Sequence, residues 1–120
     1  MLLIIAVDME KSLISAFQAF KPDEIIISAT LLKGGAENTN YLIKTDEQSY
    51  VLRIFGDSHS ILGVRKDSDI EYETSFMIFL KKRKYPVPKL FVSKNGRYFE
   101  KVKIDGIQKN ILLQEYIEGT

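Results

Sequence analysis

Two stretches decide the fold: Tyr50-Val51-Leu52-Arg53-Ile54-Phe55, and Ser68-Asp69-Ile70-Glu71-Tyr72-Glu73-Thr74-Ser75-Phe76-Met77-Ile78-Phe79-Leu80-Lys81-Lys82-Arg83. The first is rich in β-branched and aromatic residues and follows the polar turn Asp46-Glu47-Gln48-Ser49, which predicts a strand. The second carries Ile70, Met77 and Leu80 along one helical stripe. Ser68 and Glu71 have the spacing of a capping box, and Lys81 to Lys84 crowd the end where the helix dipole favours cations. Pro86 pushes Tyr85 out of helical conformation, so the helix is predicted over 68–83.

Working outward, Ile25 to Leu32 and about 39–45 read as strands separated by Gly34-Gly35, with Tyr41 and Ile43 on one face of the second and Leu42 on the other. Three strands in succession with short links predict an antiparallel meander. Ahead of them, Leu13, Ile14, Phe17 and Phe20 predict an amphipathic helix over about 9–20, closed by Pro22. Beyond the long helix, extended Val87 to Val92 leads into Asn95-Gly96, a strong hairpin signal. Arg97 to Ile104 returns, Asp105-Gly106 turns again, and Asn110 to Ile117 is the last strand. Gly56 to Asp67 reads as a loop. The expected class is α+β: an antiparallel sheet of about five strands, one long helix after the third strand and a short amino-terminal helix. With no internal repeat or linker, residues 1–120 read as a single domain.

Composition narrows the chemistry. The chain has no cysteine and one histidine, which removes a disulfide framework, a thiolate metal site and a cysteine nucleophile. Seventeen basic residues against sixteen acidic ones leave no field to hold nucleic acid or a membrane surface. The apolar run Met1 to Val7 has no positive leader and is far short of the ~20 residues that cross a bilayer, so it reads as the start of a packed element in a cytoplasmic protein.

Two charges are out of pattern. Glu73 falls inside the apolar stripe of the 68–83 helix, and Arg53 shares a strand face with Val51 and Phe55. A carboxylate aimed at a core face is costly unless a cation meets it, so the two are expected to pair; otherwise Glu73 lies on the rim and Arg53 snorkels to solvent. The loop Gly34-Gly35-Ala36-Glu37-Asn38-Thr39-Asn40 offers backbone amides and side-chain donors that could surround a phosphate, although most such loops are plain hairpin turns. It is not a Walker loop, because no Lys-Ser or Lys-Thr follows. His59 in its polar loop reads as a surface residue, and Tyr98, Phe99 and Tyr116 as sheet packing.

A glycine loop, a strand with an inward cation and a helix with an inward carboxylate follow the order in which protein kinases arrange nucleotide phosphates. Here the sequence resembles the small-molecule branch of the kinase-like fold: aminoglycoside phosphotransferases, choline kinases, homoserine kinases and methylthioribose kinases. The resemblance rests on Gly34 to Tyr41, Tyr50 to Gly56, Glu73, Pro86-Val87-Pro88 and Leu113-Gln114-Glu115-Tyr116-Ile117-Glu118-Gly119, and runs from about residue 24 to the last. It implies an ATP-binding amino-terminal lobe. Gly35, Asn38, Thr39 and Asn40 would lie over the phosphates, Arg53 would contact them and Glu73 would orient Arg53. The main chain at Glu115, Tyr116 and Ile117 would read the adenine edge. Arginine at 53 departs from the protein-kinase lysine and looks like the choline kinases; it offers a rigid fork of donors.

The resemblance also implies a carboxyl-terminal lobe that supplies the catalytic base, the magnesium ligands and the small-molecule hydroxyl substrate. None of its motifs occurs in these residues. The 120-residue chain is therefore expected to be the nucleotide lobe of a larger alcohol-group phosphotransferase and inactive alone, with no metal ligands and no catalytic residue of its own. The alternative from another class is a non-catalytic binding module with the same fold. In either case the face that would meet the second lobe, together with an unpaired final strand, is expected to favour a homodimer.

Overall fold

In the computed structural model, residues 7–32, 38–56, 67–104 and 106–118 are described. The order of elements is helix α1 (Val7–Gln18), strands β1 (Ile26–Leu32), β2 (Asn38–Thr45) and β3 (Ser49–Phe55), helix α2 (Asp67–Lys82), and strands β4 (Glu100–Ile104) and β5 (Ile107–Glu115). All five strands form one antiparallel sheet in the order β1-β2-β3-β5-β4. The fold is α+β with the meander and the long helix where the sequence placed them.

Alternation on β3 explains the layering. Tyr50, Leu52 and Ile54 point to one face, where they meet Leu13, Ala16, Phe17 and Phe20 of the α1 region, Tyr41 and Ile43 of β2, and Ile111 and Leu113 of β5. Ile14 was counted on the apolar side of α1 but is exposed; the buried stripe runs through Leu13, Ala16 and Phe17. On the other face Phe55 and Leu112 join Ile70 of α2 with Leu90 and Phe99, and Met77 and Ile78 pack against them. The strand is buried on both sides because it lies third of five, with a helix over each face.

Two expectations fail. Residues 87–92 do not pair with 97–104 across an Asn95-Gly96 hairpin. Gly96 does turn the chain, with φ 79° and its N–H donated to Ser93 O. The stretch before it instead reaches β5: Phe91 N–H donates to Leu113 O at 2.9 Å, and Glu115 N–H to Lys89 O at 2.8 Å. Pro86 and Pro88 have no N–H to give a ladder, which leaves only a short contact centred on the Leu90–Gln114 bridge. The last strand is not an edge either. β5 is long enough to pair with β3 at Tyr50–Ile54 and with β4 at Glu100–Ile104, so the edges are β1 and β4. The side chain of Ser68, His59 and the stretch Met1 to Ala6 lie outside the described residues.

Helix α2 ends as a Schellman motif. Tyr85 N–H donates to Leu80 O at 3.0 Å, and Lys84 N–H to Lys81 O at 2.9 Å. This requires φ 66° at Lys84, a left-handed conformation that costs a side-chain-bearing residue about 1–2 kcal/mol. On the other face of the sheet, the Tyr50 hydroxyl donates to the Glu24 carboxylate at 2.7 Å, and Thr45 Oγ1 donates to Glu24 Oε1 at 2.8 Å. These bonds lock the α1–β1 connection onto the β2–β3 turn. Burial first, and then the bond to Glu24, raises the Tyr50 phenol well above its ordinary value.

Two predictions follow from these ends. Lys84→Gly should raise stability by about 0.5–1 kcal/mol in a denaturant melt, because glycine takes the left-handed conformation without strain. Tyr50→Phe should cost about 1.5–3 kcal/mol, the worth of a hydrogen bond to a charged group. The Tyr50 contribution is complete below the ordinary tyrosine pKa of 10.0 and declines as pH rises beyond it, because the unfolded phenol ionises first. The variant should lack that alkaline decline.

Candidate functional site

Arg53 stands on the β3 face that looks toward α2, between Val51 and Phe55. Glu73 is one turn beyond buried Ile70 on the helix face that packs on the sheet. The two meet: Arg53 Nη1 lies 2.9 Å from Glu73 Oε2, with the side chains 14% and 28% exposed. The guanidinium also lies over the Phe55 ring, 4.9 Å from its centre. The cation is thus held from the helix side by a carboxylate and from the strand side by a ring, while part of it stays open to solvent. An arginine so placed presents a fixed cluster of donors to an anion.

The same sheet face continues into a cleft of about 560 Å³ lined by Leu32, Val51, Pro86, Pro88, Gln114, Glu115, Tyr116 and Ile117. Its size is in the range of small-ligand sites. Its walls are mostly aliphatic, and polar main chain leaves β5 at one rim. Leu42, Val51 and Gln114 are cross-strand neighbours, so they share this face. Among the described residues, Gln114 Oε1 is buried without a hydrogen-bond partner, as is Asn40 Oδ1 on the strand position opposite Arg53. An unmet buried acceptor costs about 1–3 kcal/mol, and two of them on one face suit a surface meant to receive donors.

The other anticipated residues separate. Asn40 joins the Arg53 face, whereas Thr39 pairs with Ile54 and takes the opposite face by strand alternation. Gly35 and the side chain of Asn38 lie outside the described residues; the Asn38 backbone pairs with Phe55. Glu115 is partly committed. Its N–H goes to Lys89 O, and its Oε1 accepts from Lys89 N–H at 3.0 Å and lies 3.8 Å from Lys81 Nζ. Tyr116 and Ile117 follow the end of β5 and line the cleft. Reading the sequence did not single out Leu32, Val51 or Gln114 as cleft residues. Val51 could have been found, since it precedes Arg53 by two on one strand, but Gln114 needed the β3–β5 register. Among the described residues no group of three acidic or histidine side chains could hold a metal ion, and no helix is long and apolar enough to cross a membrane.

The Arg53–Glu73 contact is testable by a double-mutant cycle of Arg53→Ala and Glu73→Ala. The pair is only partly buried, so a coupling of about 1–2 kcal/mol is expected in chemical denaturation. Additive losses would mean that the two side chains do not stabilise each other.

A model of the phosphotransferase enzyme family known as APH matches residues 28–120. Among solved structures, that of a microcompartment-associated aminopropanol kinase superposes with a TM-score of 0.70 and 19% identity. The match covers 88% of this chain and 31% of that one, so the chain spans under a third of the kinase it resembles. No curated protein matches the sequence.

Proposed function

Because the chain belongs to the phosphotransferase enzyme family, we propose that it is the ATP-binding lobe of a kinase that phosphorylates a hydroxyl group on a small polar molecule. The observation that carries this reading is the Arg53–Glu73 pair at 2.9 Å on the same sheet face as the cleft. In this reading the base lies between Leu32 and Val51 and is read by the Glu115 carbonyl and the main chain of 116–117, because the Glu115 N–H is already used. Arg53 then contacts phosphate oxygens, and Glu73 holds the guanidinium so that it need not reorganise as charge shifts. Asn40 stands beside it, and Gly35 and Asn38 complete the stretch over the phosphates, to which Thr39 adds main chain only, its side chain being on the other face.

The reaction moves a phosphoryl group from the nucleotide to the substrate oxygen. The bond from the γ-phosphorus to the bridging oxygen breaks, a bond to the hydroxyl oxygen forms, and the hydroxyl proton passes to a base. What these residues contribute is positioning and neutralisation of charge. Among the described residues no group of three acidic or histidine side chains gathers near Arg53. We assign the metal, the base and the acceptor to a second lobe of the parent protein, as the family resemblance implies.

The test is nucleotide turnover by the full-length protein with a panel of small amino alcohols, choline, homoserine and aminoglycosides. Arg53→Ala should lower kcat/KM for ATP by about 10²–10³-fold, and Arg53→Lys should recover part of it. Unchanged turnover in Arg53→Ala would exclude this site; nucleotide binding without transfer to any acceptor would favour a binding module.

A further inference from the structure

Helix α2 has a second face that the phosphotransferase reading does not use. Ile70, Thr74, Met77 and Ile78 face the sheet, and Tyr72, Phe76 and Phe79 recur at i, i+4 and i+7 on the side directly opposite. These three rings are 74%, 50% and 48% exposed. Tyr72 and Phe76 lie parallel, with ring planes 1° apart and centres 6.4 Å apart, and Arg83 stacks over Phe79 at 4.8 Å. A surface helix ordinarily carries charge on this side. A row of three adjoining aromatic rings is the kind of apolar patch that marks a protein–protein contact.

The charges that flank the row say what would cover it. On the side of the helix that carries the rings, Asp69 lies at the beginning of the row and Arg83 at its end. The helix dipole alone would favour that gradient, but it does not account for the rings between. An acid-to-base gradient about an aromatic centre is complementary to itself when reversed, as a two-fold axis requires.

We propose that two copies of this chain associate through α2, packed antiparallel about a two-fold axis beside Phe76. In that arrangement position 69 of one copy stands opposite position 83 of the other, each seven residues from Phe76. Tyr72 of each copy meets Phe79 of the other, and the two Phe76 rings meet on the axis. The surface is separate from both the cleft and the sheet edges, so it leaves the Arg53–Glu73 pair and its open face uncovered. It also places the second copy against the back of the helix that carries Glu73.

The experiment is the molar mass of the full-length protein by light scattering and sedimentation, from micromolar to millimolar concentration. The wild type should pass from one copy to two. Phe76→Asp should weaken association by at least about tenfold, with an unchanged circular dichroism spectrum, since Phe76 is half exposed and outside the core. Asp69→Arg or Arg83→Asp alone should weaken it several-fold, and the two together should restore it. A protein of one copy throughout, a dimer indifferent to Phe76→Asp, or a charge swap that fails to restore association would each overturn the proposal.

Discussion

The guanidinium of Arg53 on the central strand imposes the constraint on which the rest of this structure depends. β3 is covered on both faces, and a partly buried cation there is favoured where an opposite charge meets it. Glu73 meets it from α2, so the ion pair ties the helix to the sheet alongside the Ile70 contact. The apolar contribution of α2 is small, with Ile70 fully buried and Met77 and Ile78 only partly so. A helix so lightly packed takes its rotation and height from its polar contact. The pair is therefore structural and also leaves a positive group presented on an open face.

The two faces of the sheet have divided their work. The α1 side holds the larger cluster, closed by Phe17, Tyr50 and Phe91 in edge-to-face contact and tied at its corner by Glu24. That side supplies the rigidity. The α2 side gives up part of its packing to an ion pair, two unmet acceptors and an aliphatic cleft. A site built across β2, β3 and β5 inherits its precision from a sheet whose other face carries the larger buried cluster.

Much of this was legible in the residues. Alternation in Tyr50 to Phe55, the stripe of Ile70, Met77 and Leu80, and the turn residues at 46–49 and 105–106 dictated the elements and their order, because each is a local periodicity. Arg53 and Glu73 stood out for the same reason: each breaks the pattern of its own element. Residues 87–92 misled, because an apolar run before Asn-Gly looks like a hairpin arm, whereas prolines at 86 and 88 remove the donors that an arm needs. Thr39 was grouped with Asn40 in a loop, but pairing with Ile54 made it a strand residue facing the other way.

What the sequence by itself determined is most of the elements, the α+β class and the two charges that stand out of pattern, because these follow from spacing along the chain. What only the tertiary structure decided is the sheet order. β5 was inserted between β3 and β4, and this brought Gln114 opposite Val51 and the end of β5 beside Pro88 to make the cleft. The physical reason is that strand pairing between distant segments is chosen by which edges remain unsatisfied after the meander has formed. The chain's local periodicity says nothing about that choice.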